Sequence, residues 1–67
     1  MTYGDHLKVL REGLGLTQRQ VGEACGYEGE SAETTVRHWE KGRSYPPADK
    51  LRALAKVLNT NLNVLVP

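Results

Sequence analysis

The chain has no phenylalanine, a single cysteine, and no run of apolar residues long enough to span a bilayer. Each shortage removes a class of protein. With Cys25 alone there is no internal disulfide, and neither a zinc site nor a redox pair can be assembled, so this residue is expected to pack as a small hydrophobe. Without a membrane span or a signal-peptide pattern after Met1, the expectation is a soluble, cytoplasmic chain that makes no membrane contact. An excess of either charge is missing too, because nine Lys and Arg against eight Asp and Glu leave +1. Net charge therefore does not by itself point to a polyanionic partner. No carboxylate pair, nucleophile and base, or phosphate-cradling glycine loop is present, which leaves no catalytic site, cofactor, metal or small-molecule substrate to assign. Length is short as well: residues 1–67 make one small domain. Such a chain buries only about 60% of the surface it exposes when unfolded.

What is present is a series of short helices with readable ends. Thr2 followed by Asp5 can cap a first helix whose apolar positions are Tyr3, Leu7, Leu10 and Leu14, with Gly15 as its stop. Leu16 packs from the connector. Thr17 and Gln20 form a second capping box, Val21 and Cys25 face inward at i, i+4, and Gly26 ends that helix. Ser31 can cap a third, in which Val36 and Trp39 make an apolar stripe and Gly42 follows Lys41 as the stop. Two short helices around a glycine-bearing turn, over about 17–42, outline a helix-turn-helix. Gly22 lies inside the second helix at a cost of about 1 kcal/mol relative to alanine. The physical reason would be a close helix crossing; the alternative is a tolerated surface glycine.

After Gly42, Pro46 and Pro47 impose a non-helical loop that carries Arg43, Ser44 and Tyr45. Ala48, Leu51, Leu54, Ala55 and Leu58 then pattern a fourth helix, and Thr60 or Asn61 starts a short fifth turn through Leu62 and Leu65, with Pro67 closing the chain.

The segments RxxxGLTQ (Arg11 to Gln18), Val21, Gly22, Gly26, Val36, WEKG (Trp39 to Gly42), Pro46 and LxxLAKVLN (Leu51 to Asn59) together resemble the Cro/C1-type, or XRE-like, helix-turn-helix family. The resemblance runs from about Leu7 to Leu65. It implies an all-α, compact five-helix bundle like the lambda-repressor DNA-binding domain, with its third helix placed in the DNA major groove. One departure stands out. Thirteen positions separate Gly26 from Trp39, about four more than the family pattern, and the extra length is read as a lengthened turn at YEGE, Tyr27 to Glu30. Gly29 suits such a turn because it tolerates backbone angles other residues avoid.

The resemblance also assigns roles. Arg11 and Glu40 would form a partly buried ion pair tying the first helix to the third. Glu33, Thr34 and His38 would read bases, as would Arg37 if it reaches past the phosphates; a carboxylate accepts from cytosine N4, threonine offers a hydroxyl and a methyl, and histidine can donate to guanine N7. Gln18, Arg19, Lys41, Arg43 and Ser44 would hold phosphates, Gln18 from the first turn of the second helix. Local charge alone does not favour this, since Arg19, Arg37, Lys41 and Arg43 are outnumbered by Glu23, Glu28, Glu30, Glu33 and Glu40. An ordinary solvated helix face is the alternative for the third-helix residues, and two unrelated surface charges are the alternative for Arg11 and Glu40.

The expectation is a sequence-specific, double-stranded-DNA-binding transcriptional regulator of the phage or plasmid repressor or Cro type, cytoplasmic and nucleoid-associated. A homodimer is expected because one small module makes few contacts. Leu62, Val64, Leu65 and Val66 are the candidate dimer contact, unless they simply close the core. The competing class is a protein-interaction module that keeps this fold, of antitoxin or coactivator-bridging type, with weak or no DNA binding.

Overall fold

Two reciprocal capping boxes set where the chain turns into helix. Thr2 Oγ1 accepts from the Asp5 amide at 3.1 Å while Asp5 Oδ2 accepts from the Thr2 amide at 3.2 Å. The same exchange joins Thr17 and Gln20, at 3.0 and 2.8 Å. Each box satisfies two backbone donors that a helix start leaves free. In the computed structural model, which describes residues 1–66, five helices follow in order: α1 Tyr3–Gly13, α2 Gln18–Ala24, α3 Gly29–Lys41, α4 Ala48–Val57 and α5 Leu62–Leu65. Among these residues there is no strand. Pro67 lies outside the described residues. No helix is long and apolar enough to cross a membrane among them.

Gly15, Gly26 and Gly42, at the three expected stops, have φ of 70°, 98° and 77°. The segment from Arg43 to Pro47 is non-helical, as the two prolines require.

The core gathers one stripe from each helix. Leu7, Val21, Cys25, Val36, Trp39, Leu51, Leu54, Ala55, Leu58 and Leu65 are buried together, with Tyr3, Leu10 and Leu16 packed at its edge. Trp39 is 2% exposed, so its indole is a core group and no stacking platform. The Tyr3 hydroxyl donates to the Leu65 carbonyl, tying α1 to α5.

Two helix crossings are so close that only glycine fits. A Cβ on Gly22 of α2 would stand 2.3 Å from the Ala32 carbonyl oxygen of α3, which answers why a helix tolerates glycine there. A second crossing has no counterpart in the sequence reading: a Cβ on Gly4 of α1 would stand 2.2 Å from the Glu40 carbonyl oxygen.

Several expectations need correcting. Leu14 is 46% exposed, because α1 ends at Gly13 and its apolar period does not reach that residue. Helix α3 starts at Gly29 with Glu28 as N-cap, and Ser31 lies inside it. Ala32 must already be helical to lie against Gly22, so the YEGE residues divide. Tyr27 and Glu28 stay in the turn, while Gly29, at φ 57°, and Glu30 open α3. Tyr27 packs edge-on against Trp39 with ring centroids 6.0 Å apart, and Lys50 Nζ sits 5.2 Å above its ring. Tyr27 thus anchors the added segment to the core. Leu65 is fully buried and closes the core, whereas Leu62, Val64 and Val66 are exposed.

Candidate nucleic-acid interface

Helix α3 buries Ala32, Val36, Trp39 and Glu40, and at 3.6 residues per turn the opposite side carries Glu30, Thr34, Arg37, His38 and Lys41. That side is open. Thr34 and Lys41 are exposed, and Glu33, Arg37 and His38 are half-buried. Glu33 and Arg37 also find each other: Arg37 Nη2 donates to Glu33 Oε2 at 2.7 Å, with the two side chains 47% and 42% exposed. This i, i+4 pair offsets its own charges. It uses one of the five guanidinium N–H groups and one of the two carboxylate oxygens.

Behind this face lies the junction of α1, α2 and α3. Arg11 Nε donates to Glu40 Oε2 at 2.6 Å and Arg11 Nη2 to Glu40 Oε1 at 3.2 Å, a bidentate pair between side chains only 11% and 4% exposed. Arg11 Nη1 donates to the Leu16 carbonyl at 2.8 Å. The hydrogen bonds it donates to Glu40 push the Arg11 pKa further up, so the guanidinium is permanently charged. Gln18 Nε2 donates to Glu40 Oε1 at 3.1 Å. Gln18 is therefore partly committed to this junction, with one amide hydrogen left for another acceptor. Among the described residues no buried side-chain nitrogen or oxygen lacks a partner.

The residues expected to hold phosphates divide. Gln18, Lys41 and Arg43 line one groove of about 570 Å³ together with Thr2, Asp5, Lys8 and Glu40. Arg19 stands apart. It pairs with Glu23 at 3.5 Å, and its guanidinium approaches Gly29 at the start of α3. Ser44 is exposed in the extended segment beyond α3 and does not line the groove. Lys8 is the residue the sequence reading missed. Its signal was positional: three residues before Arg11, it shares the side of α1 that the Arg11–Glu40 pair turns toward α3.

Cys25 offers no chemistry here. It is 4% exposed, and burial pushes its thiol above the ordinary value, away from the reactive thiolate.

A helix-turn-helix family model matches residues 7–65. The chain is similar to the HTH-type transcriptional activator BcrR of Enterococcus faecalis, with 29% identity over 66 residues, 98% of this chain and 30% of that protein. It thus spans less than a third of that relative's length. No solved structure matches it significantly.

Proposed function

Because the chain belongs to the Cro/C1-type helix-turn-helix family, we propose that it is a sequence-specific double-stranded-DNA-binding regulator of transcription, with α3 entering the major groove. One observation carries this reading: the side of α3 opposite Val36 and Trp39 is uncovered, and Tyr27 of the added turn folds inward and away from it. Thr34, His38 and the Glu33–Arg37 pair are the base-reading group, with Arg37 supplying the fork that suits guanine O6 and N7. Lys41, Arg43 and Gln18 hold the backbone on one flank, Arg19 and Ser44 elsewhere along it.

Two finer statements belong to the same reading. Leu62, Val64 and Val66 are exposed next to buried Leu65, and we assign them to a homodimer contact that sets two α3 helices on successive major-groove faces. Repression of the Cro or phage-repressor kind is the simplest mode, since occupancy of an operator needs only DNA and a second subunit. The Enterococcus relative is named an activator, and activation would call for a further surface.

Selection of bound duplexes from a random pool at stated salt tests the function. The expected result is an enriched motif whose affinity falls steeply with added salt. No enrichment, with salt-insensitive capture of a protein partner, would favour the protein-interaction module instead. Sedimentation equilibrium tests the dimer: a monomer at high concentration removes it.

A further inference from the structure

We propose that the groove between α1 and the C-terminal end of α3 seats a single backbone phosphate of the bound duplex, and that Lys8 of α1 is one of its ligands. The inference rests on the duplex-binding reading above and names a contact that reading does not contain. Its basis is a local excess of positive charge in the groove. Lys8, Lys41 and Arg43 all line it. The ion pairs among the described residues are Arg11 with Glu12 and Glu40, Arg19 with Glu23, and Arg37 with Glu33, so none engages these three cations.

Both carboxylates in the lining have hydrogen-bond partners other than these three cations. Glu40 is held by Arg11 and Gln18, and Asp5 accepts from the Thr2 amide. Bonding to Thr2 holds the Asp5 pKa below its ordinary value, with the nearby Lys8 charge a smaller cause, so Asp5 stays charged as a cap and offsets part of the Lys8 charge without forming an ion pair with it.

Three cations lining one groove repel one another, and an oxyanion relieves that repulsion. Gln18 adds a neutral donor, because Glu40 takes only one of its two amide hydrogens. The position fits a phosphodiester better than a free anion. Lys41 lies seven residues from Thr34, on the same outward side of α3, so the groove opens beside the base-reading face. A strand running past that face would bring a phosphate to it, and α1 would then grip the backbone from behind.

The test is the salt dependence of duplex affinity, read by anisotropy of a labelled duplex between 50 and 200 mM KCl. Native protein, Lys8→Ala, Lys8→Arg and Lys56→Ala are compared, the last altering a cation that lines a different cavity, with Ala24, Ala53 and Val57. Losing one phosphate contact should flatten the slope of log K against log salt by about 0.9, so the loss of affinity across this fourfold range shrinks by roughly 3.5-fold. Lys8→Arg and Lys56→Ala should keep the native slope. A steep native slope left unchanged by Lys8→Ala overturns the proposal while leaving duplex binding intact. Chemical-shift titration with inorganic phosphate is the second arm: tight saturation at Lys8 and Lys41 that a duplex does not displace would also overturn it. A native protein with no salt-dependent duplex binding overturns this proposal together with the reading beneath it.

Discussion

Removing the Glu40 charge should cost more than any other single change at the three-helix junction. In Glu40→Leu the guanidinium of Arg11, 11% exposed, keeps the Leu16 carbonyl and loses both of its bonds to Glu40. Arg11 cannot shed its proton to escape, because a guanidinium stays protonated throughout the pH range in which proteins fold. Stranding one member of a buried pair costs about 3–5 kcal/mol. A chain of 67 residues has roughly 3–10 kcal/mol in total, at about 0.05–0.15 per residue. The single variant is then at or beyond the edge of folding.

The informative measurement is a double-mutant cycle with Arg11→Met, Glu40→Leu and both together, followed by urea titration on the fluorescence of Trp39. Trp39 is the only tryptophan. Its burial at 2% makes emission a report on the core. Trimethylamine oxide brings the weaker variants into range. Each single change should cost about 3 kcal/mol or more, and the double should recover much of that, since a well-packed apolar replacement of a buried pair is close to neutral. A coupling energy below about 0.5 kcal/mol would mean the two changes are independent, and the junction would not depend on the pair.

Substitutions at Gly22, Gly4 and Gly13 should not all respond with the same sign. Gly22→Ala and Gly4→Ala put a Cβ at 2.3 and 2.2 Å from backbone carbonyl oxygens that cannot swing aside, and each should lower the melting temperature by the equivalent of about 1–3 kcal/mol. Gly13→Ala meets nothing within 4 Å and should raise it, by at most about 1 kcal/mol. Melts that all shift the same way would show that helix propensity, and not the crossings, decides. Asp5 gives the pH dependence. Its pKa is lower folded than unfolded, so its contribution is present above the ordinary value of 3.8 and disappears as pH falls through the depressed one. The gap in melting temperature between native protein and Asp5→Asn should therefore close on acidification below about pH 4; a gap that stays constant to pH 2 would count against the cap.

Much of the fold was legible because its signals are local. Thr2, Asp5, Thr17 and Gln20 announce their helices by spacing alone, and Gly15, Gly26 and Gly42 announce the ends. The start of α3 was not legible, for a physical reason. Ser31 has the chemistry of an N-cap, but the contact of Ala32 with Gly22 is tertiary, and it holds the preceding turn helical without any side-chain cap. Gly4 was silent for the same reason, since the atom that excludes a Cβ there belongs to residue 40. Leu65 and its neighbours read alike as apolar, and only the packing of α5 separates one buried residue from three exposed ones. At the interface, the i, i+4 spacing of Glu33 and Arg37 was available to sequence reading; their mutual pairing limits how each can be assigned alone.

Gly29 and Glu30 lengthen α3 at its start. Backbone contacts at Ala32 and Glu40 fix α3 near both ends, about 12 Å apart at 1.5 Å per residue. The helix cannot roll without breaking one of them. Its outward side is therefore set by Val36 and Trp39, and the two residues at its start extend that side without rotating it. The extension places Glu30, an exposed carboxylate, four residues before Thr34 on the same side. Within the first turn, that carboxylate stabilises the helix end by about 0.3–1 kcal/mol, yet in a major groove it faces phosphates. Glu30→Gln should thus lower the melting temperature slightly while tightening duplex binding, most at low salt where the repulsion is least screened. Two readouts moving in opposite directions distinguish this from a general loss of structure. Unchanged affinity at 50 mM KCl, with the expected loss of stability, would place Glu30 outside the groove and require a docking in which the start of α3 points away from the duplex.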